Sequence, residues 1–259
     1  MSLKHCLSEK TRTWLYWRRA KSLAVLKKIG HQLGLGKFIW KLSLPSEVRF
    51  WDDYLTSGGK SCDAAAEYQF RIAPDSEFQS WLQEWLPCPE GSVVRVLDVG
   101  AGPLTWLGKK WPGRKVVIDA IDPLAEMYAD IMRRRGIQPP VQTRLGNGEE
   151  VVKIFGIKAF DLTFARNCLD HAYDAIQAVT NMIEATRSGG VIFLWHNQDE
   201  AEHQCYQGLH QWNFRLEQGE LWVWKGDRKL NVNRKFAGQL LVLRCELRDG
   251  MIQAIYRKL

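Results

Sequence analysis

Residues 93–99, Val-Val-Arg-Val-Leu-Asp-Val, form a nearly unbroken apolar run that ends in an acid and is followed at once by Gly100-Ala101-Gly102-Pro103-Leu104. So short a run, closed by glycines, reads as a strand buried on both faces, and such strands belong to parallel sheets covered by helices. Further apolar runs stand at 116–121, 160–164 and 191–195. A helical stretch is expected after Leu104, and helical patterns lie over 124–135 and 173–187. Strands alternating with helices imply right-handed crossovers and an open, doubly wound, mostly parallel α/β sheet. The end of the chain differs. Leu240–Leu247, then Arg248-Asp249-Gly250, then Met251–Tyr256 predict an antiparallel C-terminal hairpin around an Asp-Gly turn.

Upstream, Glu47, Phe50, Trp51, Tyr54 and Leu55 open a helix from Pro45 that Gly58 and Gly59 close. Phe78, Trp81, Leu82, Trp85 and Leu86 predict a second, stopped by Pro87 and Pro89. With 259 residues, 46% of them hydrophobic, the chain can bury a sizeable core, and disorder, collagen and a disulfide-stapled miniprotein are excluded. The six cysteines contain no CxxC pair, so reduced thiols are the simplest reading. No run reaches the roughly 18 apolar residues of a membrane span, and the N-terminus lacks a signal-peptide pattern, so a cytoplasmic location is expected.

The net charge of +7 is unevenly placed. Residues 1–41 hold ten Lys or Arg against Glu9 alone, so this stretch carries +9 and the remainder −2. The expected organisation is a basic, Trp-rich helical arm over 1–44 and a domain over 45–259, with an acceptor-side insertion at about 196–235. Trp14, Trp17 and Trp40 among the cations suit a helix lying peripherally on an anionic membrane surface or against acidic partners. The alternative is that the apolar positions pack on the domain and the charges face water.

Asp98-Val99-Gly100-Ala101-Gly102 places two glycines where the chain must turn tightly beside a ligand, at the carboxyl ends of the strands. The third glycine of a dinucleotide fingerprint would fall at Thr105, so that fingerprint is not met. Asp122, before Pro123, is placed to accept hydrogen bonds from a ribose diol, to cap the next helix, or both.

Taken together the chain resembles the class I S-adenosylmethionine-dependent methyltransferases over residues 91–195. The matching pieces, in order, are Val96–Gly102, Ala120–Leu124, Leu145-Gly146-Asn147-Gly148-Glu149-Glu150, Phe160–Asn167 with Leu169-Asp170-His171, and Arg187-Ser188-Gly189-Gly190-Val191-Ile192. The resemblance implies a seven-stranded sheet whose last strand is antiparallel, with S-adenosyl-L-methionine as cofactor. It implies that Asp98, Gly100 and Gly102 hold the methionine and ribose portion, Asp122 with Pro123 the ribose hydroxyls, Asn147 and Gly148 the adenine, and Arg166 and Asn167 the methionine end. Asn147 stands where an Asp is frequent; an amide can still accept from the adenine amino group.

The acceptor is read by elimination. The loop Arg166-Asn167-Cys168-Leu169-Asp170-His171 lacks the Pro-Pro-aromatic motif of amino-group methylases acting on bases, and no glutamate pair for a guanidinium is evident. A hydroxyl on a small molecule or glycan remains, and a histidine is the natural base for it. His171, beside Asp170, and His196, at the end of the fifth strand, are the candidates. If 199–212 is helical, Glu202, Tyr206, His210 and Asn213 share a face that could bind the acceptor, with Trp212 beside it and Trp222 and Trp224 as a stacking wall. His196, Glu200 and His203 match no strong ligand spacing, so no metal is expected. The alternatives are an RNA or nucleotide methyltransferase that uses the basic arm, although nucleic acid is disfavoured, and a non-catalytic cofactor-binding partner protein.

Overall fold

The computed structural model describes residues 36–259, so most of the basic arm lies outside the described residues. Its C-terminal end belongs to helix α1 (Gly36–Ser57), which runs through Pro45 instead of starting there. Proline forfeits only one backbone hydrogen bond, and the helix compensates with a buried stripe. Trp40, Tyr54 and Leu55 are buried, and Leu44, Val48 and Trp51 pack beside them against Tyr128, Ile131 and Met132. Those three lie on α4 (Ala125–Arg135), reached through α2 (Ala65–Ile72) and the short α3 (Ser80–Gln83). The helix expected over 78–86 shrinks to α3, but its apolar residues still serve as core.

The central sheet contains β1 (Val93–Val99), β2 (Lys115–Asp122), β3 (Arg144–Leu145), β4 (Phe160–Arg166), β5 (Thr186–Asn197), β9 (Leu240–Arg248) and β10 (Met251–Lys258). The order across it is β3-β2-β1-β4-β5-β10-β9, with β10 antiparallel to both neighbours and the other strands parallel. The expected Asp-Gly hairpin joins β9 to β10, with Asp249 and Gly250 both at positive φ. Side chains alternate across the sheet. Val94, Val96, Leu162, Phe164 and Phe193 face a layer built from Phe78, Leu82, Leu107 and Trp111. Leu97, Val99, Ala165, Ile192 and Leu194 face α5 (Val151–Phe155) and α6 (Ala175–Ala185), whose first turn is capped by the Asp174 carboxylate accepting from the Gln177 amide. Val96–Val99 are buried on both faces, which explains why the end of β1 reads as a continuous apolar run.

The stretch between β1 and β2 is not helical as expected. Residues 100–114 are turns interrupted by Pro103, Gly108, Pro112 and Gly113, and side chains fasten them down. Thr105 Oγ1 donates to Asp98 at 2.5 Å, and the Gln79 side chain bonds the Trp106 carbonyl and the Gly108 amide.

The insertion between β5 and β9 holds α7 (Glu200–His203), a three-stranded antiparallel sheet of β6 (Asn213–Glu217), β7 (Glu220–Lys225) and β8 (Arg228–Asn231), and α8 (Val232–Lys235). The helix expected over 199–212 is limited to α7. Cys205 and Tyr206 both adopt left-handed backbone (φ 52 and 56), which no helix accommodates. No helix among the described residues is long and apolar enough to cross a membrane.

Candidate cofactor and acceptor site

A cavity opens at the carboxyl ends of β1, β2 and β4. Of the residues expected to hold a cofactor, Asp98, Gly100, Asp122, Pro123, Asn147, Gly148, Arg166 and Asn167 line it together. Gly102 sits just behind. Its amide donates to Asp122 Oδ2 at 3.1 Å, and the Leu124 amide donates to Oδ1 at 2.9 Å. Asp122 therefore caps the turn into α4 while presenting its carboxylate to the cavity. Burial pushes its carboxyl up to about 7, against the pull of these two amides, and pushes Asp98 up to about 6, against the hydrogen bond from Thr105.

Gly100 is needed at its position. It lies at φ +67, and a Cβ there would stand 2.5 Å from Cys168 Cβ and 2.6 Å from its sulfur. Gly100→Ala combines a strained backbone with overpacking and is expected to cost about 2–4 kcal/mol in denaturant titration. Adding Cys168→Gly should return the packing part and leave the backbone part.

Residues that the sequence reading placed in the arm or a helix, or did not single out, complete the walls. From α1 come Trp40, Glu47 and Trp51, from α2 Arg71, and from the β1–β2 turns Trp106. Glu67 joins Arg71 (2.7 Å) to Arg166 (3.3 Å), and the Arg166 guanidinium lies over the rings of Trp106 and Trp195. Arg166 Nε is buried and has no partner among the described residues. No local pattern in the sequence distinguishes α1 as a wall, because its place follows from tertiary packing. Trp40 Nε1 donates to the His171 carbonyl at 2.7 Å, which holds α1 over the strand-four loop.

That loop carries the second feature of the site. Asp170 and His171 sit in a 3-10 turn (Leu169–His171), and His171 lines the cavity. His210 joins them because the Gln211 and Trp212 amides donate to the Asp170 carbonyl at 2.9 and 3.1 Å. His210 Nδ1 lies 2.7 Å from Asp170 Oδ2 and 3.1 Å from His171 Nε2, and on the other side of the His171 ring Nδ1 is 3.8 Å from Glu47. Burial opposes the charge on both Asp170 and His210. Proximity to His171 and the hydrogen bond from His210 nonetheless bring Asp170 below the usual carboxylate range, and its bond to Asp170 raises His210.

His196 does not reach the cavity. It is 2% exposed, stacks on Phe214 with ring centroids 4.1 Å apart, and neither ring nitrogen has a partner among the described residues. Burial pulls it down to about 4, so it is a neutral core imidazole at physiological pH. The strand carries this side chain to the face covered by the insertion, an orientation that only the register reveals.

The expected acceptor stripe does not assemble. Glu202 pairs with Arg215 at 3.4 Å, Tyr206 accepts from Asn213, and Trp212 is fully buried under Lys225 and Arg228. On β7, Leu221 and Val223 point into the core, so Trp222 and Trp224 share the opposite, half-buried face. Trp224 donates to Asp199 and lies under Arg215. None of these side chains lines the cavity; of the insertion, only Leu209 does.

The strand order, with its single antiparallel strand next to the edge, decides the architecture. It is the seven-stranded sheet with one antiparallel strand that the sequence resemblance to the class I S-adenosylmethionine-dependent methyltransferases implied. No protein-family model matches the chain, and no curated protein matches it. Among solved structures it is similar to a chain from the complex of the Haloferax volcanii Trm112 methyltransferase activator with a methyltransferase (10% identity, 80% of this chain and 96% of that one, TM-score 0.48). It is also similar to an Aquifex aeolicus SAM-dependent methyltransferase (15%, 82% and 97%, 0.45). A Clostridium acetobutylicum S-adenosylmethionine-dependent methyltransferase is a third (14%, 68% and 87%, 0.41). At these identities the likeness is one of fold.

Proposed function

We propose that the chain binds S-adenosyl-L-methionine in this cavity and transfers its methyl group to a hydroxyl of a small molecule or glycan. The observation that carries the acceptor reading is the Asp170–His171–His210 cluster, of which His171 lines the cavity. An alcohol is a weak nucleophile until its proton is drawn off, and two imidazoles on a buried carboxylate provide for that.

The residues present fit the cofactor. Asp122 would suit the ribose diol, Asn147 and Gly148 the adenine end, and the guanidinium groups of Arg166 and Arg71 the methionine carboxylate; all of them line the cavity. When bound, the cofactor supplies an electrophilic methyl group on a sulfonium. The chain's own part is to hold both reactants, keep water out beneath Trp40 and Trp51, and activate the hydroxyl at His171.

Calorimetric titration with S-adenosylmethionine and S-adenosylhomocysteine tests the cofactor, and label transfer to a panel of hydroxylated small molecules and glycans tests the acceptor. Transfer to RNA, with binding that falls steeply as salt rises, would instead support the nucleic-acid alternative. Cofactor binding with no transfer to any acceptor would support a non-catalytic partner protein. Most of the arm lies outside the described residues, and a membrane role for 1–41 predicts that its deletion shifts the chain from membrane to soluble fractions.

Cofactor affinity should also depend on pH. Burial raises Asp122 to about 7, so below that pH it holds a proton that must leave before the carboxylate can accept both ribose hydroxyls. Affinity is therefore expected to fall roughly 5–10-fold between pH 7.5 and 6, and Asp122→Asn should flatten that profile.

A further inference from the structure

Asp170 Oδ2, His210 Nδ1 and His171 Nε2 form a triangle with sides of 2.7, 3.1 and 3.4 Å. Protons alone fill it poorly. If His210 gives its Nδ1 proton to Asp170, it has none for His171; if His171 carries a proton on Nε2 as well, two N–H donors face each other at 3.1 Å. Asp170 is 1% exposed, yet its other oxygen, Oδ1, is buried without a partner among the described residues.

We propose that these three atoms are the ligands of a divalent first-row transition-metal ion. Two imidazoles and a carboxylate are a donor set that zinc, cobalt, manganese and ferrous iron accept, and three protein ligands leave coordination positions open. The circumcentre of the triangle is about 1.8 Å from each atom, so an ion at the usual ~2.0–2.1 Å from nitrogen and oxygen sits about 1 Å off its plane. Ligand atoms around such an ion are ~2.9–3.3 Å apart, so small side-chain adjustments complete the site. Two further features suit an ion. Glu47 Oε2, 3.8 Å from His171 Nδ1, stands where an outer carboxylate orients a ligating imidazole. The Gln211 and Trp212 amides bonded to the Asp170 carbonyl bring His210 to the site through backbone alone.

The inference deepens the proposed hydroxyl methylation and rests on it only for the use of the ion. His171 is the ligand on the cavity wall, so with the ion bound an open coordination position beside it, in place of a free imidazole, would bind the acceptor oxygen and make its proton more acidic, and that proton would pass to Glu47, which also lines the cavity. Binding itself is tested on the full chain, stripped with a chelator and free of cofactor, by titrating Co²⁺ against visible absorption and Zn²⁺ by calorimetry. One ion per chain, with Co²⁺ d–d bands, is the expected result.

His210→Ala and the better space-filling His210→Gln should weaken binding by more than about 100-fold, beyond the loss typical of an outer partner. Both should keep S-adenosylhomocysteine binding, which shows that the fold survives. No uptake by the wild type, or equal uptake by either folded variant, overturns the site. Hydroxyl methylation that persists unchanged in chelator overturns the ion and leaves the transferase reading standing. Ion uptake lost in both variants, without any methyl transfer, supports the ion and overturns that reading.

Discussion

His171→Asn is expected to lower methyl transfer by about 100–1,000-fold while leaving S-adenosylhomocysteine affinity within about threefold. His171 is the member of its cluster that lines the cavity, and its two ring nitrogens face Glu47 on one side and Asp170 with His210 on the other. Asparagine keeps a polar group of similar reach but can neither take up a proton at neutral pH nor offer an imidazole nitrogen to a transition-metal ion. The loss should therefore appear in turnover at saturating cofactor, not in cofactor binding. His196 supplies the contrast. It is buried with both nitrogens unpaired, so His196→Phe removes orphaned polar atoms from an apolar setting and should leave turnover near wild type. Turnover lost in His196→Phe and kept in His171→Asn would reverse the assignment.

Asp122→Ala is expected to weaken cofactor binding by about 100-fold, close to 3 kcal/mol, since two hydrogen bonds from a diol to one ionised carboxylate disappear together. The same change frees the Gly102 and Leu124 amides, a loss of about 1 kcal/mol that denaturant titration would read separately. The two roles thus separate by measurement. Calorimetric affinity within about threefold of wild type, beside a lowered stability, would reduce Asp122 to a fastening of the turns around Gly102 and Leu124.

How far the sequence carries can be judged from particular residues. The apolar run at 93–99 and the Asp249-Gly250 turn fix their elements through side-chain period and turn chemistry, both local properties, and the structure places β1 and the β9–β10 hairpin accordingly. Gly100, Asp122 and Asn147 could be read in the same way, because a ligand at the strand ends draws its contacts from the residues that end each strand. Length and capping were less legible. Pro45 lies within a helix because Trp40, Trp51 and Tyr54 bury one stripe of it, and the stretch after Leu104 forgoes a helix because the Thr105 and Gln79 side chains bind its backbone at Leu107, Trp106 and Gly108.

What the tertiary structure alone decided is which polar side chains meet. The sequence placed His171 beside Asp170 but assigned His210 to a helical face that Cys205 and Tyr206 break, and it turned His196 toward a crevice from which the register turns it away. Trp40 and Glu47, 131 and 124 positions from His171, entered the site only when α1 packed over the loop. Local sequence determines strand, turn and cap, because these depend on a few neighbouring residues. The partner of a buried histidine depends on how elements far apart in the chain pack, and a one-residue shift in register carries a side chain to the other face of the sheet.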